Sequence, residues 1–180
     1  MSLEKIETLF KIISRYDHYI EIANNKANYV LASVISVNIA LAALLGYVDI
    51  LKFSIATPYT NILKVLGAIS YFSFIVSSGA ILLGVHKVIF PNTSSPNTSK
   101  LSNIFFGDVA KRDHEKYATD IKGLNEDELT QDLSFQANAL AKIVEEKFKH
   151  QKTVMLLTSR HFIASALITS VLCATIKALS

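Results

Sequence analysis

Three stretches of the chain contain no Asp, Glu, Lys or Arg: 29–48 (YVLASVISVNIALAALLGYV), 65–85 (VLGAISYFSFIVSSGAILLGV) and 161–176 (HFIASALITSVLCATI). An α-helix rises 1.5 Å per residue, so about 20 apolar residues cross a bilayer core of about 30 Å. The first two stretches meet that length outright. The third is short, but 153–159 (TVMLLTS) is also nearly apolar, and Arg160 alone divides the two pieces. A long Arg side chain near a helix end can reach the interface. A third span is therefore expected over 160–179. A helix buried in a soluble bundle keeps one polar face, and the first two stretches have none. A cleaved signal peptide does not explain the first, because 28 residues precede it and no small-residue cleavage site follows.

Between the spans the pattern changes from unbroken apolar to periodic. In 1–28, Ile6, Leu9, Ile13, Tyr16, Ile20, Ala23 and Ala27 alternate steps of three and four, a heptad-like seam on one helix. Nothing breaks that helix before the first span, so one helix of about 45 residues is expected. Asp17, Glu21, Asn24 and Asn28 form a second stripe, either a solvated face or a polar wall beside a site. Residues 91–100 (PNTSSPNTSK) read as a loop, with N-x-S/T patterns at Asn92 and Asn97 that a cytoplasmic location would leave unused. A short helix is expected over 108–121, ending near Gly123. Asn125 with Glu128 three residues later forms a capping box. The helix it opens carries a stripe of Leu129, Leu133, Ala137, Leu140, Val144 and Phe148. No proline or glycine follows, so this helix is expected to run into the third span.

The fold class is thus an all-α membrane protein. Three transmembrane helices carry a small cytoplasmic helical head, and long helices continue from head into membrane. The single module divides into an amphipathic helix (1–28), the spans 29–48 and 65–85, loop and helices at 91–152, and the span 160–179. Lys and Arg concentrate in 1–28 and 86–160, while 49–64 holds only Lys52 and Lys64. The positive-inside rule then places the N-terminus in the cytoplasm.

Composition sharpens this picture. The 180 residues are 51% hydrophobic and 18% charged, against about 25% charged in a soluble domain. All 18 basic and 15 acidic residues fall outside the three stretches, so the remainder is about as charged as an ordinary soluble protein. A net charge of +3 is too weak to argue for a nucleic acid polymer. The single cysteine, Cys173, permits neither a disulfide within the chain nor a cysteine-based metal site.

No catalytic or metal motif is found. His114-Glu115 opens like a zinc-protease helix but lacks the second His. The six glycines are scattered rather than gathered in a phosphate loop. No enzyme activity and no cofactor are expected. A ligand site is the better candidate. Phe105, Phe106 and Tyr117 could stack a base, while Lys111 and Arg112 could hold a phosphate. The alternative, which spacing alone favours, makes Phe105 and Phe106 core and Lys111 and Arg112 solvent-exposed. Within the spans, Asn38 sits mid-membrane, with interhelical bonding the favoured role. Small residues recur at every fourth position (Ala32, Ser36, Ala40; Ser73, Ser77; Ala166, Ser170, Ala174). These permit close helix approach within one chain or in a homo-oligomer.

The sequence resembles the transmembrane effectors of Pycsar anti-phage systems. The resemblance lies in Asn25-Lys26-Ala27-Asn28 leading into the first span, in Asn103-Ile104-Phe105-Phe106-Gly107-Asp108 after the polar loop, and in Gln136, Ala137, Ala141 and Lys147 on the last long helix. It implies a partner nucleotide cyclase that makes a cyclic pyrimidine mononucleotide, cCMP or cUMP. The effector would sense that second messenger, impair the lipid bilayer of the bacterial inner membrane and cause abortive infection, with Lys26, Lys111 and Arg112 as candidate phosphate contacts and Phe106 and Tyr117 as candidate base contacts. Two alternatives stay open: a membrane effector for a cyclic oligonucleotide, and a non-signalling scaffold or immunity protein.

Overall fold

The computed structural model describes residues 2–53, 58–90 and 101–179. Among them every regular element is helical: α1 (Ser2–Tyr47), α2 (Pro58–Ile89), α3 (Phe106–Val109), α4 (His114–Lys122), α5 (Glu126–Leu157) and α6 (Ile163–Leu179), with a π-helical turn, Thr158–Phe162, joining the last two. Three helical stretches are long and apolar enough to cross a membrane: Leu3–Tyr47, Pro58–Ile89 and Glu126–Leu179. They contain the second and third charge-free stretches and all of the first but Val48. The loop expected at 91–100, with Asn92 and Asn97, lies outside the described residues.

The helix ends follow from local chemistry. After α1, the Ile50 N–H reaches Leu45 O at 3.4 Å and the Asp49 N–H reaches Gly46 O at 3.3 Å. This is a Schellman stop, with Asp49 in the left-handed position at φ 49°. Ile50 and Leu45 then meet in one apolar cluster. Pro58 opens α2, where its missing N–H costs nothing. The capping box is formed: Asn125 Oδ1 accepts the Glu128 N–H at 2.8 Å, and Glu128 Oε2 accepts the Asn125 N–H at 3.5 Å. The single helix expected over 108–121 is instead two. Asp113 takes an extended conformation and caps α4 by accepting the Glu115 N–H at 3.0 Å, which separates α4 from α3.

The chain forms two compact units. The first comprises the described residues of Met1–Asn24 and Phe90–Phe148; the second comprises those of Asn25–Ile89 and Lys149–Ser180.

The second unit has apolar side chains both inside and outside. Val34, Leu41, Phe74, Ile81, Val154, Phe162 and Ile176 are buried, while Ile39, Phe72, Val76, Leu83, Leu167 and Val171 are well exposed. Four polar side chains turn inward. Asn38 Nδ2 donates to Ser78 Oγ at 3.1 Å and to Val34 O at 2.7 Å, the interhelical bond expected of it. The Ser70 and Thr169 hydroxyls pair at 2.9 Å between α2 and α6, and Thr169 is fully buried. Such an arrangement suits a hydrocarbon solvent. In the π turn, Ser165 Oγ donates to His161 O at 2.7 Å and Phe162 O at 3.1 Å. The Phe162 ring packs on Phe74, centroids 4.8 Å apart.

Within this unit α2 approaches its neighbour closely at Gly84. A Cβ there would lie 2.5 Å from Val154 Cγ2, a methyl with little freedom. Gly84→Ala is expected to lower stability by about 1–3 kcal/mol through overpacking. Val154→Ala added to Gly84→Ala should recover part of that loss, which a double-mutant cycle of thermal unfolding in detergent measures.

In the first unit Ile6 and Ala23 on α1 and Leu133, Ala137 and Leu140 on α5 are buried. The expected stripe on α5 shifts at its last position. Lys147 is 4% exposed, and Phe148 instead sits half outside with its ring edge-on to Tyr19 at 6.5 Å. The heptad step from Leu133, Ala137, Leu140 and Val144 falls on position 147 whatever its side chain. Lys147 Nζ donates to Asn24 Oδ1 at 2.9 Å. Burial holds the Lys147 ammonium below the ordinary lysine value of 10.5. Below the depressed folded value both states are protonated and the penalty is constant. Above it the folded state releases a proton that the unfolded state keeps, so stability rises with pH towards 10.5. Thermal unfolding on the alkaline side of neutrality is expected to show this rise, and Lys147→Met to flatten it.

Candidate functional site

The candidate site is built on residues 101–128. Ser102 begins it by closing a turn: its Oγ accepts the Ile104 N–H at 3.1 Å and the Phe105 N–H at 2.9 Å. Its own N–H donates to Oδ2 of Asp108 at 3.0 Å, and Asp108 is fully buried. The Asn103 N–H donates to Asp132 Oδ2 at 2.7 Å, which pins the turn to α5. The turn sends Phe105 inward and leaves Phe106 68% exposed. Gly107 is required by the ring before it, because a Cβ there would come within 2.8 Å of Phe105 Cε1. The two-aromatic-then-glycine element is therefore a folded turn with one ring in and one ring out.

Arg112 is the hub of this region. Its Nη2 donates to Leu101 O at 2.6 Å and Ser102 O at 3.0 Å. Its Nη1 donates to Asn103 Oδ1 and to Asp120 Oδ2, the latter at 3.1 Å. The side chain is 6% exposed. The Tyr117 hydroxyl donates to Asn103 O at 3.0 Å. One guanidinium and one phenol thus fasten the turn at 101–103 to α4.

Of the five residues singled out from sequence, four belong to the first unit and Lys26, exposed on α1, belongs to the second. Arg112 and Tyr117 are brought together through Asn103. Lys111 is exposed, its Nζ 3.7 Å from Asp108 Oδ1. Phe106 rests against the Phe105 ring, centroids 4.9 Å apart.

Beside Arg112 an open groove of about 540 Å³ is lined by Asn103, Lys116, Thr119, Asp120 and Glu128, with Arg112 in its wall. That size lies within the range of small-molecule sites, about 300–1,000 Å³. Its walls are chemically mixed: one paired cation, one amide, a hydroxyl, two carboxylates and Lys116, which makes no ion pair among the described residues. Arg112 is the residue this groove shares with the sequence reading. Lys116, Thr119 and Asp120 were not singled out, although their three-to-four spacing places them on one face of α4. A second groove, of about 480 Å³, lies in the second unit between the end of α1 and α2 and is lined mostly by Ala42, Leu45, Ile50, Ala68 and Tyr71.

Removing the hub leaves two carbonyl oxygens, an amide oxygen and a half-buried carboxylate without their donor. Arg112→Ala is expected to destabilise the first unit by about 2–3 kcal/mol. Arg112→Lys should restore little, because an ammonium cannot span the same forked set of acceptors. Limited proteolysis at 101–103 and thermal unfolding check both outcomes.

No curated protein and no solved structure matches the chain. A protein-family model described as the Pycsar effector protein domain matches residues 8–176. The match runs through both compact units and all three long apolar helices. It includes the turn at 101–108, the lead-in at 25–28 and the buried Lys147. With the match covering nearly the whole sequence, the chain belongs to the Pycsar effector protein domain family.

Proposed function

We propose that this chain is the membrane-acting effector of a Pycsar defence pair. It senses a cyclic pyrimidine mononucleotide made by a partner cyclase and impairs the bacterial inner membrane, so that an infected cell stops growing before phage mature. The family match over 8–176 carries this reading. The three apolar helices with their inward-turned polar groups support a membrane as the target. The first unit supplies a small-molecule-sized groove.

In this reading the basic segments 1–28 and 86–160 face the cytoplasm, where a soluble second messenger meets them. The chain performs no catalysis of its own and needs no cofactor. A ligand acts only through differential affinity for two states of the protein. Three spans are too few to enclose a pore, so damage through a pore would take a homo-oligomer. Small residues on the spans allow the close packing that assembly needs.

Expression in bacteria with an inducible pyrimidine cyclase tests the proposal. Membrane potential, followed by a voltage-sensitive dye, is expected to collapse only when an active cyclase is present. An inactivated cyclase should leave it intact. Collapse with a cyclic-oligonucleotide synthase instead would assign a different signal. Indifference to every nucleotide-producing enzyme would identify a scaffold or immunity protein.

A further inference from the structure

We infer that the groove beside α4 is the nucleotide site, with Lys116 and Arg112 holding the cyclic phosphate and the Asp120 and Glu128 carboxylates reading the base. The inference rests on the effector reading above and adds where the ligand binds and which pyrimidine fits.

The cations come first. A cyclic phosphodiester carries one negative charge and needs a donor that is not already committed. Lys116 is such a donor: it lines the groove, is exposed, and makes no ion pair among the described residues. Arg112 stands in the same wall, oriented by its bonds to Leu101 O, Ser102 O and Asp120. Its terminal nitrogens are already committed to four acceptors, so it adds a fixed positive charge beside the phosphate, and the Lys116 ammonium supplies the donors. Lys111 is less suited, since its ammonium already lies 3.7 Å from the buried Asp108 and it does not line the groove.

The carboxylates then discriminate the base. Asp120 and Glu128 both line the groove, and a carboxylate accepts hydrogen bonds but donates none. Cytosine offers an exocyclic amine, the donor that Asp and Glu accept in base recognition. Uracil places a carbonyl oxygen at that position, so two acceptors would face each other. The wall chemistry therefore favours cCMP over cUMP. Asn103, whose side-chain oxygen is held by Arg112, leaves its amide nitrogen to face the acceptor side of the ring.

The site also joins the turn at 101–103 to α4. A ligand engaging Arg112 competes with Asp120 and with the carbonyls of Leu101 and Ser102, so occupancy changes how firmly the turn is fastened. No charge need enter the apolar helices for this to happen.

The test uses the full chain in detergent micelles, titrated calorimetrically with cCMP and, separately, with cUMP. Two groove variants avoid the structural hub: Lys116→Glu reverses the free cation, and Thr119→Trp fills the groove from an exposed position. Circular dichroism and melting temperature establish that each is folded. Expected are cCMP binding to the unaltered chain, a loss of at least tenfold in both variants, and weaker binding of cUMP. Binding of cCMP by the unaltered chain with no loss in either variant overturns the site and leaves the effector reading standing. Binding of cUMP at least as tight as cCMP, lost in the same variants, overturns the base assignment alone. No binding of either nucleotide by the unaltered, folded chain overturns the effector reading and this inference with it.

Discussion

Backbone polar groups in an apolar surrounding must be satisfied along their own helix, and this constraint shapes the long elements. Hydrocarbon offers no water to an exposed N–H or carbonyl, so a helix in that medium cannot be interrupted cheaply. The three long helices show the result. Where the hydrogen-bond ladder widens, at Thr158–Phe162, Ser165 and Thr158 hydroxyls bond backbone carbonyls of the turn and its flanks. Where α1 stops, the Schellman bonds at Asp49 and Ile50 satisfy the last carbonyls. The same constraint turns Asn38, Ser70, Ser78 and Thr169 to each other rather than outward.

The first unit is governed by a different economy. Its fixed point is a charged group at the centre of a neutral turn. Arg112 meets two carbonyls, an amide and a carboxylate, and the aromatic pair and the glycine after it take their places on the loop it closes. A residue that serves as scaffold in this way can still present its charge to a groove, and Arg112 lines one.

Much of this was legible from sequence, because the signals were local or periodic. Charge-free stretches gave the spans, the Asn125–Glu128 spacing gave the start of α5, and the heptad seam from Ile6 to Ala27 gave a helix that runs on to Tyr47. What stayed hidden depended on partners distant in sequence. Apolar character suggested Phe148 as the end of the α5 stripe, whereas geometry buried Lys147 against Asn24, far away along the chain. Asp113 looked like one more helical residue until its carboxylate capped α4. Lys116, Thr119 and Asp120 showed only the polarity of a solvated face. The walls opposite them, at 101–103 and Glu128, are what make that face a groove.

The π turn has an arithmetic consequence. A wide turn is one residue more than an α-helix would use to cover the same axial distance, so Thr158–Phe162 works as a register key. Were the same sequence wound as unbroken α-helix, every residue after it would swing by about 100°. Ser165 and Thr169 would then turn away from Ser70, and Phe162 from Phe74. A one-residue deletion inside the turn leaves both flanks in phase. The same deletion a few residues to either side throws them out. Length variation among related chains should therefore be tolerated at this point and resisted around it.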